Sequence, residues 1–289
     1  MDSAMRIEQA LAASVATAEA AGSPPRLAAA IRHAVFPGGA RIRPRLCLAV
    51  ARACGDDRPG VAAAAAASIE LLHCASLVHD DLPCFDDAPI RRGKPSVHRA
   101  FGERLAVLTG DALIVMGFET LTRGASATPE RLVPLLLTLS QSVGMPLGIV
   151  AGQAWECEPR VTLADYQQAK TGALFAAATT MGATAAGSEG SAWRELGERL
   201  GEAYQVADDI HDAAGDPELL GKPVGRDAAL GRPSAAAELG IVGAVRRLEY
   251  LVGCAVNSIP PCPGSAQLRD HIRLEAQGLL PETIALRAA

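Results

Sequence analysis

Residues 59–96 read PGVAAAAAASIELLHCASLVHDDLPCFDDAPIRRGKPS. From Val61 to Val78 the stretch is apolar nearly all round, with Glu70 and His73 set into it. Alanine is the best helix former. A helix apolar on every side lies inside a large bundle or a membrane, and the ionisable pair favours a buried core helix over a span. The run ends in Asp80 and Asp81, and Pro83 forces a break. Asp86 and Asp87 follow, then Arg91-Arg92-Gly93-Lys94. A buried helix that terminates in acids sets the expectation for the whole chain: all-α.

The rest of the chain agrees. Gly/Pro-rich breakers recur at 23–26, 36–44, 54–60, 82–96, 123–131, 144–148, 187–191, 215–234 and 259–264. The segments between them are rich in Ala and Leu, with apolar residues at helical spacing. No period-2 alternation is sustained. The most apolar long stretch, Leu132–Gly152, is interrupted by Pro134, Gln141 and Pro146 and reads as core helices. The 289 residues are 49% hydrophobic but only 3% aromatic, which disfavours strands and excludes disorder. No linker divides the chain, so residues 1–289 read as a single domain of roughly ten or more helices.

Net charge is −5, with 32 acids against 27 Lys and Arg, which argues against nucleic acid as partner. Seven cysteines form no CxxC pair and no zinc spacing, and are expected as reduced thiols packed like small apolar residues. The N-terminus lacks the pattern of a signal peptide. The expectation is a cytoplasmic protein with no membrane span.

Charge is gathered at two places. Asp80, Asp81, Asp86 and Asp87 form one cluster; Asp208, Asp209, Asp212 and Asp216 form another. Like charges this dense repel unless a cation neutralises them, and both clusters have apolar flanks, unlike a solvated face. On a helix Asp208 and Asp212 share one face. Oxygen-only carboxylate sites suit Mg²⁺, which binds through one or two carboxylates plus substrate phosphates. Basic residues follow each cluster: Arg91 and Arg92, then Lys222, Arg226 and Arg232. Lys170-Thr171-Gly172 opens an Ala-rich segment, and Arg41, Arg43 and Arg45 follow Gly38-Gly39. Guanidinium and ammonium groups beside Mg²⁺ sites are what diphosphate recognition needs. No GxxxxGK[ST] or strand–GxGxxG–helix occurs.

These residues carry a resemblance. HDDLPCFDDAPIRRGKPSVH and YQVADDIHDAAGDPELLGKPVGRD resemble the two aspartate-rich motifs of the trans-isoprenyl diphosphate synthases. FPGGARIRP, KTGALF and GDALIVMGFETL are similar to three further family elements, in the family's order. The likeness runs from about residue 30 to about 235 and is strongest to the bacterial carotenoid-pathway branch that makes geranylgeranyl diphosphate.

The resemblance implies an all-helical bundle around a deep central cavity, usually a homodimer. It implies Mg²⁺-dependent head-to-tail condensation of isopentenyl diphosphate (IPP) with an allylic diphosphate. About three Mg²⁺ ions would join the aspartate motifs to the allylic diphosphate and stabilise the leaving group. Departure leaves an allylic carbocation for the IPP double bond to attack, and the released diphosphate takes the proton.

By the same resemblance Asp80 and Asp86 are Mg²⁺ ligands, with Asp81 supporting. Asp208 is the chief ligand of the second motif, with Asp209 and Asp212 assisting. Arg91, Lys170, Thr171, Gln205 and Lys222 hold the allylic diphosphate. Arg43, His73 and Arg92 bind IPP. The family's lysine in GGKRxRP is Ala40 here, so one cation of the IPP pocket is missing, or Arg41 replaces it. Arg232 stands where relatives often have lysine.

In the family a bulky aromatic four or five residues before the first aspartate closes the tunnel at fifteen carbons. Here those positions are Ser76 and Ala75. The implied product is therefore twenty carbons long, with Leu72 and Phe118 as candidates for a deeper floor. A farnesyl diphosphate synthase is the alternative product assignment. A terpene cyclase would carry a different second metal motif and need no IPP pocket. A non-catalytic partner subunit would typically lose one aspartate motif.

Overall fold

The structure is a computed structural model and describes residues 2–36, 38–158, 168–214 and 234–279. Among the described residues there are twelve α-helices. The first four are α1 (Ser3–Ala18), α2 (Pro25–Val35), α3 (Ile42–Ala53) and α4 (Pro59–Asp80). Next come α5 (Val97–Phe101), α6 (Glu103–Ala125), α7 (Pro129–Val143) and α8 (Ile149–Ala154). The last are α9 (Ala173–Ala185), α10 (Arg194–Ala214), α11 (Ala235–Asn257) and α12 (Ser265–Gln277). The strands among the described residues are the pair β1 (Ile90–Arg91) and β2 (Lys94–Pro95), an antiparallel hairpin.

The quoted stretch forms the central helix. Proline occupies the first turn of α4, where its missing N–H costs nothing. Ile69 and Leu71 are fully buried and Leu72 nearly so. Burying each such side chain contributes about 1.5–3 kcal/mol. The small side chains of α4 let neighbours approach: a Cβ at Gly124 of α6 would lie 2.2 Å from the Ala64 Cβ. A Cβ at Gly182 of α9 would lie 2.4 Å from the Cys47 carbonyl oxygen of α3. Alanine and glycine thus set the helix spacing that aromatic residues set in other cores. A second buried cluster joins α10 to α11 through Val206, Ile210, Val245 and Leu248.

Helices α4 and α6 are both long and apolar enough to cross a membrane by length and composition. Most of α4 is enclosed by the bundle, whereas less than half of the apolar window of α6 is. On α6, Val107, Leu108 and Val115 are exposed, and on α7 so are Val133 and Leu137.

Helix α7 runs through Pro134 and ends at the expected breaker, Gly144–Gly148. Pro134 is exposed, so the Glu130 carbonyl it leaves without a helical donor can be solvated. The expectation for the cysteines changes: Cys47 and Cys74 are buried like small apolar residues, but Cys84 and Cys157 are exposed.

Candidate active site

The first acidic cluster forms where α4 stops. Asp80 is its last residue and Asp81 its C-cap. A helix C-terminus carries partial negative charge, so acids there oppose the dipole. After Pro83 the chain folds back: the Asp86 N–H donates to the Asp80 carbonyl at 2.9 Å, returning Asp86 to the helix end. Arg91, from β1, grips Asp81 through Nε at 3.0 and 3.2 Å and through Nη2 at 2.5 Å. Burial pushes the pKa of both Asp80 and Asp81 above the ordinary carboxylate value, against the pull of Lys170 and Arg91 respectively. Burial also opposes the charge on Arg91, but its bonds to Asp81 outweigh that and leave its pKa raised.

Residues 168–172, a π-turn ahead of α9, connect this cluster to the next. Lys170 Nζ lies 3.6 Å from Asp80 Oδ1 and 2.6 Å from Glu156 Oε1. Thr171 Oγ1 donates to Gln205 Oε1 on α10 at 3.1 Å, and Gln205 Nε2 donates to Asp209 Oδ1 at 3.0 Å. The other Asp209 oxygen accepts the Ala235 N–H at 2.8 Å, where α11 begins. Asp209 is buried and anchors structure, while Asp208 and Asp212, on the same helix, are partly exposed. Lys222 lies outside the described residues, as do all of residues 215–233, Asp216 and Arg232 among them.

A basic pocket lies farther back along α4. Arg43 Nη1 donates to His73 Nε2 at 3.4 Å. The Arg43 guanidinium sits 4.7 Å from the Phe175 ring centre and 6.0 Å from that of Tyr204. Burial, then the charges of Arg43, Arg92, Arg91 and Arg41, holds the His73 pKa well below its ordinary value. His73 is therefore neutral at pH 7 and accepts through Nε2. Arg92 crosses the Gly38-Gly39 turn: a Cβ on Gly39 would lie 2.9 Å from Arg92 Nε. Arg43 Nε and Arg92 Nη1 are buried without a hydrogen-bond partner among the described residues. Buried donors of this kind call for an acceptor.

Ala40 is exposed and brings no charge. Arg41 does not replace the missing lysine. Its Nη1 donates to Glu70 at 2.7 Å, its Nε to Glu8 at 2.9 Å and its Nη2 to the Val35 carbonyl at 2.8 Å.

Ala75 is buried among the core residues of α4. The Ser76 hydroxyl, partly buried, donates to the His73 carbonyl at 2.9 Å. Leu72 packs against Gly117 of α6, and Phe118 flanks the core. A cavity of about 970 Å³ lies between α7 and α9 and is lined by none of these residues. A space of about 30 Å³ adjoins Asp81, Arg91, Arg92 and Lys94.

Two further residues join the first cluster. Gln153 Nε2 donates to Asp80 Oδ1 at 2.8 Å, and Glu156 holds Lys170. Their signal was the glycine before them. A Cβ on Gly152 would lie 2.4 Å from the Lys170 nitrogen, so α8 touches the π-turn only because residue 152 is glycine.

The described helices form a bundle in which two acidic clusters are joined by one basic turn, with buried arginines alongside, a charge arrangement suited to phosphate groups and metal ions. The chain belongs to the polyprenyl synthetase family, whose model matches residues 24–247. It is 57% identical over 98% of both chains to a geranylgeranyl diphosphate synthase of Cereibacter sphaeroides. It is 53% identical over 95% of both chains to one of Rhodobacter capsulatus. Its fold superposes on a geranyltransferase of Helicobacter pylori complexed with magnesium and isoprenyl diphosphate. There the TM-score is 0.79 and identity 28%, over 96% of this chain and 98% of the other.

Proposed function

We propose that this chain is a trans-prenyltransferase that condenses IPP head-to-tail with an allylic diphosphate and releases geranylgeranyl diphosphate. Near-full-length identity of 57% and 53% to two synthases of that product carries the reading. The first cluster, the π-turn and the arginine pocket support it.

The donor set fits Mg²⁺. Asp80 and Asp86 are brought together by the 2.9 Å backbone bond, and all their donors are oxygen. Among the described residues no three His, Cys, Asp or Glu side chains form a closed metal cage. Ions shared with substrate phosphates need none. In this reading Asp80, Asp86, Asp208 and Asp212 hold about three Mg²⁺ ions, and Asp209 acts chiefly by fixing Gln205 and the start of α11. Bound there, Mg²⁺ neutralises the growing charge of the diphosphate leaving group.

The protein's own groups do the rest. Arg91, Lys170, Thr171, Gln205 and Lys222 bind the allylic diphosphate, with Asp81 orienting Arg91. Arg43, Arg92 and neutral His73 hold the IPP diphosphate. The closed bundle keeps water from the allylic cation until the IPP double bond attacks it. The proton then leaves to the diphosphate. Small residues at Ala75 and Ser76 let the chain grow to twenty carbons.

The whole chain acts as one domain and works as a homodimer in the cytoplasm. The exposed apolar residues on α6 and α7 support self-association. The deciding experiment incubates purified protein with IPP, geranyl diphosphate and Mg²⁺ and separates products by chain length. A twenty-carbon product is expected; a product stopping at farnesyl diphosphate, or no diphosphate release, would overturn the assignment.

A further inference from the structure

Glu70 is a charged group at the centre of the bundle, 1% exposed, to which the proposed chemistry gives no part. It lies three residues before His73 on α4, so both point to one face. Its Oε1 accepts from Arg41 Nη1 at 2.7 Å, lies 3.7 Å from Arg92 Nη2 and is 4.0 Å from the Cys74 sulfur. Arg41 and Arg92 come from different places. One caps α3 after the double-glycine turn; the other sits in the β1–β2 hairpin. Both have positive φ, 51° and 53°, a backbone state that L residues seldom adopt. The surroundings must hold each of them there.

We propose that Glu70 is a positioning residue for IPP, sorting the arginines of this pocket into two roles. The inference rests on the assignment of the pocket to IPP. Together with Glu8 and the Val35 carbonyl, Glu70 occupies every nitrogen of Arg41, which becomes a structural strut. Toward Arg92 it offers only a longer contact to Nη2, and Nη1 is left buried without a partner among the described residues. Arg92 is thus drawn across Gly39 yet keeps a donor for a phosphate oxygen. Burial holds the Arg43 pKa below its ordinary value, and the pull of Tyr204 and then of the Glu70 carboxylate offsets only part of that. One acid thereby keeps three clustered guanidinium groups from pushing apart, and leaves Arg43 and Arg92 for the anion.

The test separates positioning from charge pairing. Glu70→Gln keeps the shape and removes the charge, but a broken buried pair is strongly destabilising. The double variant Arg41→Met/Glu70→Met removes both partners, a replacement that is often neutral for stability. Both variants are expected to raise the KM for IPP about tenfold, as for a lost charge-assisted bond, with the allylic KM within about twofold. A double variant with the parent KM for IPP would overturn the proposal, since Glu70 would then serve only to neutralise Arg41. Arg92→Lys is measured alongside. If it leaves the KM for IPP unchanged, the assignment of the pocket itself falls. If it raises that KM while the double variant does not, only the role of Glu70 falls.

Discussion

Asp80, Asp81 and Asp86 gather where α4 ends, while Arg41, Arg43 and Arg92 gather around Glu70 earlier on the same helix. At the acid end the protein's cations lie against its own carboxylates: Arg91 on Asp81, Lys170 between Asp80 and Glu156. At the basic end a single buried acid serves two arginines, and two N–H groups are left over. An anion can enter the second region directly. It can enter the first only with metal ions, because carboxylates there outnumber the cations beside them. One helix therefore presents two answers to the same chemical group, and in the proposed reaction only one of them depends on metal.

The comparison breaks most visibly at the metal side. Asp208→Asn is expected to lower turnover by about three orders of magnitude or more with an unchanged helical circular dichroism spectrum. Near-normal turnover would remove Asp208 from the metal site. Chelation with EDTA should abolish turnover and the calorimetric binding of a non-hydrolysable allylic analogue. IPP binding should persist within about threefold, since arginines bind phosphate without a metal. Loss of both would merge the two regions into one.

The basic side gives the next largest effect. Arg92→Lys keeps the charge and loses the planar fork, and should raise the KM for IPP about 10–100-fold with the allylic KM unchanged. Between the two ends lies Ala75. Ala75→Tyr should shorten the main product to farnesyl diphosphate by chromatography, and an unchanged twenty-carbon distribution would remove Ala75 from the tunnel.

The smallest effect is one of stability. A buried carboxylate with a raised pKa holds its proton to higher pH when folded than when unfolded, so it costs stability once pH exceeds both values. That cost shrinks as pH falls through the raised Asp80 value toward the ordinary one. Asp80→Asn should thus raise the melting temperature of the metal-free protein at pH 7, with the gap narrowing on acidification. A lower melting temperature at pH 7 would mean that the Lys170 and Gln153 contacts outweigh burial.

Much of this was legible from residues alone. Alanine runs and breakers specify the helices, because spacing and propensity are local. The acid clusters and the basic loops stand out because charge is rare in so apolar a chain. Less legible were Gln153 and Glu156, which reach Asp80 and Lys170 only through the close approach at Gly152. Arg41 misled for a related reason. Its place beside Ala40 fits a substitute cation, but the decision lies with Glu70 and Glu8, 29 and 33 residues away. The split between Asp208 and Asp209 also hides in sequence, since it depends on which face of α10 meets the start of α11.

Arg43 carries one more consequence. Its guanidinium plane has aromatic rings near it, Phe175 at 4.7 Å and Tyr204 at 6.0 Å, and its edge meets His73. A guanidinium donates its N–H groups in its own plane, so that plane sets the direction in which an oxyanion is held. An oxyanion docking there must lie in that plane, and the chain attached to it leaves along one bearing. Stereochemical order in the bond to be formed would then begin with the orientation of a side chain that never touches the reacting carbons.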